Sequence, residues 1–216
     1  MAPNASDMAE ELLTTIGLHT IYLPNLYISR SYPEVEQPQK KSGLIDVGCF
    51  GAIRPLKNNL IQAVAAIKFA KKLGKQLRFH INSNRVEQNG DQVIKNINAL
   101  FNAAGNRYTL VKHKWMPHQQ FMDVIGSMDM GMQVSFSETF NIVAADFVDA
   151  HVPIVVSKEI SWIPSVFHAD PNSSDDIVNK MMLTWYVKQF KLHHINNLAL
   201  WLYNRKAKRH WLNFLA

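Results

Sequence analysis

Short apolar runs alternate with amphipathic stretches along most of this chain. GLIDVG (43–48) reads as a buried strand ending on glycine. Residues 57–73 place Leu60, Val64, Ile67 and Leu73 near helical spacing. LRFHI (77–81) is a second strand, and 91–104 a helix with Val93, Ile94, Ile97, Leu100 and Phe101 on one face. YTLVK (108–112) is a third strand, followed by a short helix at 118–126. MDMGMQV (128–134) is a fourth, a helix starts near Thr139, PIVVS (153–157) is a fifth, and SVFHA (165–169) fits a sixth. Strands alternating with helices imply an α/β fold, a doubly wound Rossmann-like parallel sheet covered on both faces. In such folds the ligand sits at the C-terminal ends of the strands.

Two segments fall outside that unit. Residues 1–42 hold a short helix opened by Ser6 or Asp7, a strand (HTIYL, 19–23), and a linker-like stretch, SYPEVEQPQKKSG (31–43). Residues 173–216 read as C-terminal helices, the second with Ile195, Leu198, Ala199 and Leu202 on one face. The central unit is then 43–172.

Composition narrows the class. With 216 residues, 47% of them hydrophobic and 19% charged, the chain can bury a full core. It has no apolar run of membrane-spanning length, about 18 residues, and its polar N-terminus is neither a secretory signal nor a transit peptide. The lone Cys49 excludes a disulfide framework and a cysteine-based zinc site, so a cytoplasmic setting is expected. The net charge of +6 is concentrated at the end: from Pro171 onward seven Lys/Arg stand against two acids. That tail suits an anionic membrane surface as well as an ordinary solvated helix face. No nucleic-acid recognition motif accompanies it.

Two loops carry the chemistry. GCFGAIRPLKNN (48–59) joins strand one to its helix. Its glycines, Gly51 among them, admit close approach to a ligand, and Arg54 and Lys57 lie at a helix start suited to a diphosphate. The P-loop pattern is absent, and Gly48 and Gly51 do not complete the dinucleotide fingerprint. The second strand ends in His80-Ile81-Asn82, without the acid that would hold a dinucleotide's ribose, which argues against a nicotinamide dehydrogenase. In SFSETFNIVAADFVDAHVPIVVS (135–157), Glu138 precedes a helix and Asp146 lies inside it. Each acid alone is an ordinary cap or surface residue. Together they point to the same strand ends as Arg54 and Lys57, where acids accept from sugar hydroxyls and cations bind phosphates.

The Glu138–Asp146 pair, followed by VPIVVS, resembles the donor-binding half of GT-B glycosyltransferases. The pattern is nearest the retaining, group 1 enzymes that include mannosyl- and glucosyltransferases, and it spans residues 20–170. That resemblance implies one half of a GT-B fold that binds a UDP- or GDP-linked sugar and transfers a hexose with retention. Glu138 would bind the sugar hydroxyls, with backbone amides of Thr139, Phe140 and Asn141 at the helix entrance. Asp146 would hold the ribose, and Arg54 and Lys57 would neutralise the diphosphate without a metal or other cofactor. Asn82 and the loop carrying Trp115 and Met116 would contact the nucleobase, although Trp115 fits the core equally well. The sequence departs from the family at three points: an aspartate as second acid, Ala52 rather than arginine after the glycine, and Asn141 where glycine is usual. Asparagine is the non-glycine residue best suited to left-handed backbone.

The resemblance also implies an N-terminal acceptor-binding domain for which this chain has no room. Residues 1–24 look like the end of one. If the chain is a fragment, the apolar faces of 7–23 and 195–215 mark the lost interface. Two alternatives stay open: a non-catalytic nucleotide-sugar binding module, and a basic protein that binds RNA or anionic membranes. A sugar-nucleotide epimerase shares the layout and is a weaker option.

Overall fold

The computed structural model describes residues 6–29 and 43–216, so the linker expected at 31–43 lies almost wholly outside the described residues. Helix α1 (Ser6–Ile16) is followed by five strand–helix repeats. These are β1 (Leu44–Gly48), α2 (Asn59–Lys72), β2 (Gln76–Asn82), α3 (Gly90–Ala103), β3 (Tyr108–His113), α4 (His118–Gly126), β4 (Met130–Gln133), α5 (Ile142–Asp149), β5 (Ile154–Val156) and α6 (Ser174–Gln189). Helix α7 (Ile195–Leu215) ends the chain.

All strand pairs are parallel, in the order β3-β2-β1-β4-β5. The chain therefore builds outward from β1 on one side and then returns to place β4 on the other. A crevice opens at that reversal, outside the carboxyl ends of β1 and β4. Alternation along the strands divides the core in two. Ile45, Val47, Leu77, Phe79 and Ile81 face α2, α3 and α6. On the other face α4, α5 and α7 enclose Phe50, Ile125, Phe147 and Leu200. The sheet is doubly wound, as its pattern predicts. Gly131 is required by this packing: a Cβ there would stand 2.7 Å from the Phe147 ring.

The buried strand β1 carries a charge. Asp46 is 1% exposed, yet Arg78 grips both its oxygens at 2.6 and 2.8 Å and His80 lies 2.9 Å from Oδ1. A buried carboxylate so paired avoids an uncompensated desolvation cost. His80 in turn meets His113 at 2.8 Å. Burial and the neighbouring His80 push the His113 imidazole below its ordinary pKa.

Four local expectations change. Residues 19–23 form no strand, because they lie along α7 rather than at a sheet edge. Trp211 Nε1 donates to the Pro24 carbonyl at 2.8 Å, and the Tyr22 and His210 rings meet edge to face. The expected sixth strand is a 3-10 turn, Ser165–Phe167, wound from Pro164, with one bridge between His168 and Val156. Helix α2 starts at Asn59 after a 3-10 turn over Pro55–Lys57, and its fully buried apolar side chains are Ala63, Ala65, Ala66, Phe69 and Ala70, with Leu60, Ile67 and Leu73 flanking them. Helix α5 starts at Ile142 rather than near Thr139.

Helix α6 is part of the body, burying Ile177, Val178 and Met181 in the same cluster as α2. On α7 the expected apolar face is at the surface: Ile195, Leu198, Trp201 and Leu202 are each at least half exposed. The side chains α7 buries are Asn196, Leu200 and Ala207. Ile16, Ile21 and Ile28 are likewise exposed on the N-terminal segment. None of the helices among the described residues is long and apolar enough to cross a membrane.

Candidate functional site

The loops after β1 and β4 flank the crevice, and side chains stitch them together. Gln133 Nε2 donates to the Phe50 carbonyl at 2.8 Å. Asn58, left-handed at φ 56°, donates to the Val134 carbonyl at 3.1 Å, and Gln62 accepts from the Val134 amide at 2.8 Å. Gly51 sits at φ 115°, a backbone conformation that side chains disfavour. Its N–H donates to Asn82 Oδ1 at 2.8 Å, which ties the glycine loop to the end of β2.

Gly51, Asn82, Trp115, Met116 and Asp146 line one pocket of about 570 Å³ at these strand ends. Five predicted positions from four separate segments thus converge. Trp115 is 79% exposed on the pocket lip, which settles its status: it is no core residue. A second depression, about 660 Å³ between α3 and the edge strand β3, has Lys112 as its only charged lining residue.

Glu138 and Lys57 form a separate cluster. The Lys57 ammonium donates to Glu138 Oε1, which also accepts from Ser135 Oγ at 3.1 Å and Asn141 Nδ2 at 2.9 Å. Both side chains of the pair are mostly enclosed, at 15% and 7% exposure. Asn141 also donates to Gln133 Oε1 at 3.0 Å. A hydrogen-bonded chain therefore runs from the Phe50 carbonyl through Gln133 and Asn141 to Glu138 and Lys57. It joins the cluster to the loop that carries Gly51.

The entrance of α5 is capped by this same asparagine. Asn141 is left-handed at φ 57°, and its Oδ1 accepts from the Ala144 amide at 2.9 Å. Asparagine therefore fills the position where the resemblance expects glycine. Thr139 is exposed, whereas Phe140 is buried. The Phe140 ring stacks on Tyr203 and Trp162, and its carbonyl accepts from Trp162 Nε1 at 2.7 Å. The Phe140 side chain is thus a packing element rather than a ligand contact.

Arg54 stands apart from both groups. Its guanidinium lies 4.0 Å from Glu87, and its Nε is buried without a partner. Glu87 is held in place because loop 83–89 pairs with Ile53 in both directions. Cys49 is buried, and burial pushes its thiol up to about 12, so it is no nucleophile.

Sequence reasoning missed Tyr27 and His118. Tyr27 Oη donates to Asp146 Oδ1 at 2.9 Å, and His118 Nε2 lies 3.0 Å from the same oxygen. Burial raises the Asp146 carboxyl above the usual range, and the bonds from His118 and Tyr27 oppose that rise. Burial and then the two nearby aspartates raise the Tyr27 phenol far above its ordinary pKa. His118 opens α4 three residues after Trp115, and that position was its only signal. Tyr27 has none, since its partner is 119 positions away. Among the described residues no group of three His, Cys, Asp or Glu side chains could hold a metal ion.

No family model and no curated protein matches this chain. Solved structures do match. A UDP-forming trehalose-phosphate synthase from Burkholderia xenovorans superposes with a TM-score of 0.78 at 10% identity, over 99% of this chain and 59% of that one. TarM from S. aureus, crystallised with UDP, gives 0.73 at 11% identity, over 98% of this chain and 43% of that one. The C-terminal domain of the group 1 glycosyl transferase LpcC from Francisella tularensis gives 0.60 at 19% identity, over 75% and 85%. The chain has the fold of a C-terminal GT-B domain, and it spans about half the length of the first two structures.

Proposed function

We propose that this chain is the donor-binding half of a retaining glycosyltransferase that holds a UDP- or GDP-linked hexose in the crevice between β1 and β4. The observation that carries this reading is the convergence of Gly51, Asn82, Trp115, Met116 and Asp146 on one pocket. It is supported by the hydrogen-bonded chain from the Phe50 carbonyl to Glu138 and Lys57.

In this reading the nucleobase lies against Trp115 and Met116 near Asn82, and the ribose meets Asp146. The diphosphate passes Gly51 towards Lys57. Glu138 accepts from the sugar hydroxyls, beside the backbone of Thr139, Phe140 and Asn141. As the glycosidic bond breaks, negative charge gathers on the leaving diphosphate. Lys57, and Arg54 once it exchanges Glu87 for phosphate, stabilise that charge in a preorganised site. Side chains do this work without a bound metal, so a chelator leaves donor affinity unchanged. The acceptor would come from an N-terminal domain packed on the apolar residues exposed along 6–29 and α7.

A thermal-shift screen of the full chain against UDP, GDP, ADP and their sugar conjugates tests the reading. Ligand binding to the native state raises the melting temperature. A selective rise with one nucleotide is expected, reduced in Lys57→Ala for every diphosphate. In Glu138→Ala it is reduced only for the sugar conjugates. No rise with any nucleotide overturns the donor site. Salt-sensitive binding of the wild type to RNA or anionic vesicles would then favour the basic-surface alternative.

A further inference from the structure

Among the described residues Asp146 is the one carboxylate lining the pocket, and its two oxygens have different surroundings. Oδ1 takes the Tyr27 hydroxyl at 2.9 Å and faces His118 Nε2 at 3.0 Å. None of the described residues donates to Oδ2. Asp146 is 2% exposed and lines the pocket, so a ligand there meets its carboxylate.

Tyr27 is held from several sides. Its N–H donates to Asn204 Oδ1 at 3.0 Å. Its ring centroid lies 6.3 Å from that of Phe140. Its hydroxyl is 3.4 Å from Asp149 Oδ2, and Asp149 is itself bonded by Ser29. With acceptors on both sides, the phenol can only donate. His118 faces the same carboxylate and presents N–H from Nε2. Two donors on one oxygen fix the carboxylate plane and leave a single acceptor with a defined direction.

We propose that Tyr27 and His118 are positioning residues: by occupying Oδ1 they aim Asp146 Oδ2 at a ribose hydroxyl, so the pocket selects ribonucleotides over analogues lacking the 2′ and 3′ hydroxyls. The proposal rests on the donor-pocket reading above. It adds a specificity and the residues that set it. A carboxylate free to rotate would accept the same hydroxyl with less directional preference, because ordering it would then accompany binding.

The test is calorimetric titration of the full chain with the nucleoside diphosphate that the thermal screen selects, and with its 2′,3′-dideoxy counterpart. A hydrogen bond to a charged group accounts for about tenfold or more in affinity. Wild type should therefore prefer the ribonucleotide by about that factor. Tyr27→Phe keeps the ring packing and should bring the preference to within about twofold of unity, with dideoxy affinity unchanged. His118→Ala should weaken the preference in the same way, and His118→Gln, which returns an N–H donor, should restore it. A purely structural role would lower both affinities together or only the melting temperature.

Three results overturn the proposal. If wild type discriminates and both folded Tyr27→Phe and His118→Ala keep the full preference, positioning fails while the donor site stands. If wild type binds both ligands equally, Asp146 reads no ribose. If wild type binds no nucleotide, the donor-pocket reading falls and this one with it. Should Tyr27→Phe not fold, the His118→Ala and His118→Gln pair decides alone.

Discussion

Glu138 and Asp146 lie eight residues apart around the start of α5, and each fills one carboxylate oxygen from the protein. Around Glu138 the donors are a lysine ammonium, a serine and an asparagine. Around Asp146 they are a phenol and an imidazole. The first acid is charge-balanced by a cation in direct contact. The second has a phenol and an imidazole in place of a lysine, and burial dominates its proton affinity. A mostly enclosed ion pair is held together by its own partner and is strongly destabilised without it. A buried acid whose burial outweighs its hydrogen bonds is a cost carried by the folded state, of the kind found where function rather than stability selects the residue.

The strongest way to break this contrast is to remove the cation. Lys57→Met leaves Glu138 enclosed without its counter-charge and should lower stability by about 3 kcal/mol in urea denaturation. Lys57→Met with Glu138→Gln should recover most of that loss, because the orphaned charge is gone. A Lys57→Met variant as stable as wild type would mean that Glu138 relaxes into solvent and that the two acids do not differ.

Next in size is the pocket lip. Trp115→Ala should leave stability within about 0.5 kcal/mol, because the ring is already in solvent. It should weaken nucleotide binding by about tenfold if a base stacks there. Loss of stability without loss of binding would return Trp115 to a packing role.

A smaller effect of opposite sign is expected at the second acid. Asp146→Asn removes a carboxylate whose raised pKa makes its ionised form unfavourable in the folded state. That cost is present above the folded pKa and is relieved as pH falls through it. The variant should therefore be more stable than wild type at pH 7 by about 0.5–1 kcal/mol, with the gain vanishing on acidification. Destabilisation at every pH would show that the ionised acid holds the site together as Glu138 does.

His193 must be accounted for in any acid titration of that difference. Burial and the neighbouring His194 push its imidazole down to about 4. The unfolded chain takes up a proton near pH 6.5, before the folded one does. Stability tied to neutral His193 is thus present above about 6.5 and lost as pH falls towards about 4. His193→Asn should flatten the decline below about pH 6.5, measured by denaturation across that range.

Much of the scaffold was legible because each strand and helix announces itself locally. Residues 93–101 put one apolar stripe on α3, and the structure buries Ile97 and Phe101 there. The left-handed asparagine at 141 was likewise readable from residue type. What stayed hidden depends on partners far away in sequence. HTIYL alternates like a strand, yet it lies along α7, where Tyr22 meets the His210 ring and the next residue but one, Pro24, accepts from Trp211. Lys57 and Glu138 were legible as a cation and an acid near a crevice. That they neutralise each other depends on how the 3-10 turn at Pro55–Lys57 meets the β4 loop, where the Phe136 amide donates to the Leu56 carbonyl at 2.9 Å. The buried charge of Asp46 looked like an exception in GLIDVG until Arg78, 32 residues on, came alongside.

Asn204 of α7 holds the backbone of Tyr27, and Tyr27 holds Asp146. The far end of the chain is therefore wired to the pocket through two side chains. Trimming α7 before Asn204 would look like tidying a surface helix, since much of what it removes is exposed. It would also loosen the residue beneath the pocket floor. Shortened versions of this protein should be cut beyond Trp211, whose indole pins Pro24, if nucleotide selectivity is to survive the shortening.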